Sequence, residues 1–381
     1  MYALTNCDIY TGKEVLGGYA ILVEGAKIRG LIPAGQISSD IRIVDLGGKS
    51  IAPGFIDIQV NGGGGLLFNE SLDMKSLEKI VAAHRRFGTT DMLPTFITGS
   101  MADMIRATEV IREAIDRRTA GVLGLHFEGP FLNPSKAGVH NKAFMKSPER
   151  RDLEMVVGNK AGILLMTVAP EVVSDEDIKF LVSRGVLVAA GHSNATYEQG
   201  MHGFSSGITL TTHLFNAMSA FQGRETGLIG AALDHPGSWC SIIVDGHHVH
   251  FASLNVAISA KSKSRMFLVT DAMPPVGSEE TETFMLGELR AHVENGACRT
   301  DDGTLAGSAL DMATAVRNLV QKMGIAKDEA LRMASTYPAT FLGLEGQRGF
   351  IAPGYDANMV IFNNQILVEG VIIQGEVENF S

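Results

Sequence analysis

The chain has 381 residues, 45% of them hydrophobic and 19% charged, with a formal net charge of −10. That balance describes an ordinary well-packed protein of about two domains and argues against nucleic acid as a partner. No apolar stretch reaches the roughly 18 residues of a membrane span, which argues against a membrane partner, and the opening "MYALTNCDIYTGKEV" lacks a basic-then-apolar signal pattern. Cys7, Cys240 and Cys298 are widely separated and odd in number, so neither a disulfide framework nor a thiolate metal site is expected. A cytoplasmic location follows as the expectation.

Residues 1–52 hold short alternating stretches; "YAILVEGAKIRGLI" predicts a hairpin with Gly25 at its turn. From residue 53 onward, apolar runs alternate with helical spacing. They are "FIDIQV", "TTDMLPTF", "VLGLHFEG", "ILLMTVAPE", "VLVAAGH", "ITLTTH", "CSIIVDG" and "MFLVTDA". Between the first two, Leu77, Ile80, Val81, His84 and Phe87 share one face of a helix. Eight such units predict a (β/α)8 TIM-like barrel, a fold of about 250 residues. A doubly wound open sheet is the alternative, but no G-x-G-x-x-G follows the early strands. Residues 349–378 return to short alternating stretches, and "IAPG" occurs at both seams, 51–54 and 351–354. The expected α/β architecture is a catalytic barrel over 53–348 with a small discontinuous β-sandwich domain from 1–52 and 349–381.

In a parallel barrel, reactive groups gather at the C-terminal ends of the strands. Those ends supply Gln59 and Asn61, His126 and Glu128, His192, His213, Asp245 with His247 and His248, and Asp271. A single buried histidine is more often a satisfied core residue. Several converging buried polar groups are costly unless paired or functional. Two neutral imidazoles and one carboxylate form a zinc-type ligand set with an open position, and Glu128, His192 and His213 fit it. A loop-capping carboxylate is the other reading of Glu128, and His126, two residues earlier on the same strand face, reads as a ligand or, in preference, as a packed neighbour. Asp271 closes the apolar run "LVTDAM", where a lone carboxylate needs something cationic opposite.

The stretches "APGFIDIQVNG", "GLHFEGPFLNPSKAGVH", "AAGHSNAT", "THLFNAM", "GRETGLIGAAL", "DGHHVH", "LVTDAM" and "LAGSALDM" resemble the N-acetylglucosamine-6-phosphate deacetylase family of the amidohydrolase superfamily, along nearly the whole chain. The resemblance implies one divalent metal per chain on Glu128, His192 and His213, with Zn2+ first and Fe2+, Co2+, Mn2+ or Ni2+ as the others. It implies Asp271 as proton shuttle and His140 of "AGVH", beside Val139, at the substrate's acetamide carbonyl. Asn216, Ala217, Arg224 and His248 would contact the sugar phosphate, Asp245 would belong to the substrate site, and Leu305, Ala306 and Gly307 would line the sugar site. The implied substrate is a phosphorylated amino sugar, and the implied assembly is a homodimer in which a neighbouring subunit lends part of the phosphate site.

Many superfamily members carry His-x-His where this chain has Gln59-x-Asn61. Amides are weak ligands for zinc-type ions, so the pair is expected to be the remnant of a second metal site. The run "ILLMTVAPE" also lacks the bridging lysine of two-metal relatives. Arg224 suits phosphate through its fork of donors, with a solvated surface charge as its other reading. Two rival functions stay open: the same chemistry on the galacto epimer, and a metal-free scaffold that binds without catalysis.

Overall fold

The structure is a computed structural model that describes residues 1–261 and 264–380. Two compact units make up the chain: Met1–Asp57, His84–Asp91 and the stretch from Asp311 onward form the first, and Ile58–Ala83 and Met92–Leu310 the second. The expected seams at 52 and 349 are therefore not the edges of these units. The helices Met312–Met323, Lys327–Ala334 and Thr336–Phe341 belong with the terminal strands.

The first unit carries an eight-stranded sheet to which both ends of the chain contribute. Met359–Phe362 pairs antiparallel with Arg42–Pro53, Val360 opposite Ala52, which joins the C-terminal strands to the N-terminal ones. Tyr19–Glu24 and Lys27–Pro33 form the expected hairpin, and Gly25 takes φ +56 at its turn, a conformation that favours glycine. Leu4, Ile9, Ile21, Val23, Ile51, Met359, Ile361 and Ile372 alternate inward to make one core.

The second sheet runs Phe55–Val60, Thr89–Ile97, Gly124–Glu128, Ile163–Val168, Leu187–Ala190, Leu210–Thr211, Trp239–Ile242 and Met266–Leu268, neighbours in chain order. The pairings from Thr89–Ile97 onward are parallel. A parallel bridge between Val60 and Ala272 brings the last strand back to the first, and the barrel nearly closes. All eight apolar runs of the sequence are strands here. Parallel strands are covered on both faces, so they read as continuous apolar runs, and Thr89–Ile97 is buried at every residue. Helix starts follow capping chemistry: Ser100 accepts from Asp103 N–H, and Thr196 with Gln199 forms a capping box.

One element was not foreseen. After the eighth barrel strand, Thr283–Leu286, Leu289–Glu294, Ala297–Thr300 and Leu305–Ser308 form a four-stranded antiparallel sheet. Its signal lay in the alternation of "TFMLGELRAHVENGACRT", with glycines at both hairpin turns. Among the described residues, no helix is long and apolar enough to cross a membrane.

Gly124 begins the third barrel strand, and a Cβ there would lie 1.9 Å from the Ile163 carbonyl oxygen. Backbone cannot yield as a flexible side chain does. Gly124→Ala should therefore cost about 3 kcal/mol or more, while Gly35→Ala, with nothing within 4 Å of its added Cβ, should stay within about 0.5 kcal/mol of wild type. Thermal unfolding of the two variants beside wild type checks this, and equal midpoints would contradict it.

Candidate active site

The loops at the C-terminal ends of the barrel strands surround a cavity of about 340 Å3. Glu128 ends the third strand, His192 follows the fifth by two residues, and His213 follows the sixth by two. All three are nearly fully buried. His213 Nε2 stands 2.8 Å from Glu128 Oε1, His192 Nε2 stands 3.2 Å from the same oxygen, and the two Nε2 atoms are 3.1 Å apart. Burial works to raise the Glu128 pKa, but hydrogen bonds and charge from His192 and His213 hold it well below the usual carboxylate range. Burial likewise opposes charge on His213, yet Glu128 and then Asp271 raise its pKa. The centre thus calls for a positive charge among these three groups.

Tautomers decide which groups can ligate. His192 Nδ1 lies 2.8 Å from the Lys136 carbonyl oxygen, which can only accept, so Nδ1 carries the proton and Nε2 offers its lone pair. Glu128, His140 and His192 each have a ligand atom within 4.8 Å of the others. His140, however, is turned the other way. Its Nδ1 accepts from the Thr98 backbone N–H at 3.4 Å, and the Thr98 hydroxyl lies 2.9 Å from the same nitrogen. Burial, then His192, pushes its pKa down to about 3, so the ring is neutral and Nε2 carries its only proton. That makes His140 a hydrogen-bond donor 3.9 Å from Glu128 Oε2. Two imidazole nitrogens and one carboxylate oxygen, 2.8–3.2 Å apart, fit an ion with bonds of about 2.0–2.1 Å.

The amides of the first strand turn out to brace the carboxylates. Gln59 Nε2 donates to Glu128 Oε1 at 3.1 Å and to Asp271 Oδ1 at 3.2 Å, and Asn61 Nδ2 donates to the same Asp271 oxygen at 2.6 Å. Burial and the Glu128 charge push Asp271 up to about 6, against the pull of His213, His248 and Asn61.

The backbone at these positions is strained: His192, His213 and Asp271 take φ of +47, +33 and +54. Neighbouring groups hold it there. Glu171 accepts from Ser193 Oγ at 2.6 Å, Asn194 N–H at 2.6 Å and Asn133 Nδ2 at 2.9 Å, while Asn133 N–H donates to the His192 carbonyl. Ser241 Oγ accepts from His213 N–H at 2.8 Å. Below the cavity His126 lies between Thr95 Oγ1 at 3.2 Å and Thr167 Oγ1 at 2.8 Å, and burial pushes its pKa down to about 4. It is the packed neighbour expected, set between two hydroxyls.

Of the other expected residues, Asn61, Val139, His140, Asn216, Ala217, His248, Asp271, Leu305 and Gly307 line the cavity together with the three converging groups. Ala306 is fully buried in the inserted sheet between two of them. Asp245 stands behind His248, its Oδ2 2.6 Å from His248 Nδ1 and its Oδ1 accepting two backbone N–H groups. Arg224 is not brought to this cavity. It lies exposed in a separate groove of about 620 Å3 with Tyr197, Phe221 and Val256. Sequence reasoning missed Thr98, which orients His140, and the apolar lining residues Ile97 and Met273. Their only signal was proximity to strand ends.

The sequence matches the amidohydrolase family over residues 50–377 and the NagA composite domain over residues 1–51. It is 36% identical to N-acetylglucosamine-6-phosphate deacetylase of Haemophilus influenzae, across 98% of each chain. It is 42% identical to N-acetylgalactosamine-6-phosphate deacetylase of a Shewanella species, across 86% of this chain and 82% of that one. The crystal structure of N-acetylglucosamine-6-phosphate deacetylase from Pasteurella multocida superposes with a TM-score of 0.97 at 37% identity, covering 100% of both chains. With the family match spanning most of its length, this chain belongs to the amidohydrolase family.

Proposed function

We propose that the chain is a metal-dependent deacetylase that hydrolyses the acetamide of N-acetyl-D-glucosamine 6-phosphate to D-glucosamine 6-phosphate and acetate in amino-sugar breakdown. The observation that carries this reading is the meeting of three kinds of group in one cavity: the Glu128–His192–His213 donor set, the carboxylate of Asp271 and the N–H of His140. The full-length relatives that share the fold support the gluco substrate. The galacto epimer is a second reading, favoured by the Shewanella relative, and turnover of both epimers separates the two. A metal-free scaffold is disfavoured, since Glu128, His192, His213 and Asp271 are all present.

Glu128, His192 and His213 would hold one divalent ion, Zn2+ first among the candidates. When bound, such an ion polarises a carbonyl and lowers the pKa of water to about 7. The chain's own groups do the rest. His140 Nε2–H points its proton at the amide oxygen and stabilises the charge that grows there. Asp271 takes the proton of the attacking water and delivers it to the departing amine nitrogen, with Gln59 and Asn61 fixing the oxygen that waits. His248, backed by Asp245, faces the sugar's phosphate end together with Asn216 and Ala217.

Arg224 would reach the phosphate of a neighbouring protomer rather than its own. The exposed Phe221 and Val256 in its groove, 56% and 67% accessible, suit a homodimer contact. A cytoplasmic homodimer acting on a small phosphorylated amino sugar, with no nucleic-acid or membrane partner, is the setting this reading implies.

Three outcomes test it. Asp271→Asn should retain fold and ion but lower kcat by at least ~10², the scale of a lost general acid–base group. Near-normal turnover in a correctly loaded variant would remove Asp271 from the reaction. Arg224→Ala should raise KM for the 6-phosphate substrate far more than for the unphosphorylated sugar, because a charge-assisted fork is lost. Equal effects on both would remove Arg224 from phosphate recognition. Purified enzyme should hold about one ion per chain, lost in His192→Ala and His213→Ala but retained in Gln59→Ala. Elemental analysis decides, and two tightly held ions per chain would overturn the single-site reading.

A further inference from the structure

Two apolar residues of the cavity, Ile97 and Met273, have no role in the proposed reaction. Ile97 and Met273, 8% and 2% accessible, belong to one apolar cluster with Leu67 and Leu286, and Val139 packs against it. Met273 is held in place closely. Gly307 has φ +63, and a Cβ there would come 2.7 Å from Met273 Cγ and 2.9 Å from the Asp271 carbonyl oxygen, so the position favours glycine and Met273 packs directly on its backbone. A second cavity of about 180 Å3 adjoins this wall, lined by Leu67, Phe96 and Leu286 and also by the polar Glu70, Asp103 and Asn141. Ile97 and Val139 line both cavities.

The same two residues flank the group that holds the carbonyl oxygen. The contact between Thr98 and His140 Nδ1 brings their chain neighbours, Ile97 and Val139, to the donor. An amide's carbonyl oxygen and its acyl substituent share one carbon, so a held oxygen keeps the acyl group close beside it. On the deacetylase reading the sugar lies on the other side of that carbon, toward His248 and Asn216. We propose that Ile97 and Val139 are a partition that sets the length of the N-acyl group, with the acetyl methyl against Ile97, Val139 and Met273. The second cavity is the space that longer acyl chains enter once the partition is trimmed. This rests on the deacetylase reading above and names the specificity device of that site.

The test compares kcat/KM for N-acetyl-, N-propionyl- and N-butyryl-glucosamine 6-phosphate in the metal-loaded enzyme. Wild type should lose at least ~10-fold from acetyl to butyryl, the low end of what one misfitted methylene is worth in an apolar pocket. Ile97→Ala and Val139→Ala should raise the butyryl-to-acetyl ratio at least ~10-fold. Leu286→Phe, which fills the second cavity, should reverse that gain when combined with Ile97→Ala. Should Ile97→Ala fail to fold, Ile97→Val and Val139→Ala read the same ratio. A merely structural role would move all three substrates together and leave the ratio still, and an unmoved ratio in the folded variants overturns the partition. Normal acetyl release with unmoved ratios sinks this inference alone. Release of no acyl group by the loaded wild type sinks the deacetylase reading and the partition with it.

Discussion

A buried carboxylate with two imidazole nitrogens around a single oxygen is the constraint on which the rest of the site depends. Glu128 is 2% accessible, and Oε1 has His213 Nε2, His192 Nε2 and Gln59 Nε2 within 3.2 Å. Removing a charge from water costs several kcal/mol unless opposite charge and hydrogen bonds replace the lost solvation. Here the replacement comes from three separate barrel segments, the ends of strands one, five and six. Closing the barrel and neutralising the carboxylate are therefore coupled: the positions of the strands fix the distances, and the distances make the buried charge tolerable.

The eight apolar runs and the strand-end residues were legible because a barrel converts a one-dimensional pattern into a ring. Each strand is covered on both faces, so it is continuous in hydrophobicity, and the first polar residue after it faces the common axis. Glu128, His192, His213 and Asp271 could be read this way, one strand at a time. His140 could not, since its donor role depends on Thr98, 42 residues earlier, which claims the opposite ring nitrogen. Arg224 shows the same limit in another form. No spacing rule says which groove a loop arginine enters, and in this chain it is a different groove from the one that holds His140. The inserted sheet was hidden for a simpler reason: its strands are only four to six residues long, the first two are half exposed, and glycines separate the first three.

Strain at the strand ends shows what the site costs the fold. Three non-glycine residues with positive φ, at about 1–3 kcal/mol each, would not persist on a loose loop. They persist because the following loops are hydrogen-bonded at both ends. Glu171 ties the loops after strands three and five, and Ser241 holds the His213 backbone. Deeper in the barrel, Val60 N–H donates to Thr95 Oγ1, next to His126, and His126 adjoins Thr167, whose hydroxyl meets Thr212. That chain of polar contacts links the strand bearing the amides to the strands bearing Glu128 and His213. A polar layer in the barrel core is expensive unless every member is satisfied.

The two amides of the first strand can be understood in the same terms. An imidazole at either position could turn its lone pair toward a second cation shared with the two carboxylates. Gln59 and Asn61 instead present N–H groups, which neutralise part of the Asp271 and Glu128 charge with no ion at all. The substitution of donor for acceptor thus does more than weaken a ligand set. It occupies the space between the carboxylates with dipoles of the sign that a second cation would have supplied, and it leaves Asp271 hydrogen-bonded through one oxygen. The Asn61 amide fixes that oxygen at 2.6 Å. Asp271, braced in this way, lines the cavity beside Glu128, His192 and His213, the position a proton carrier needs.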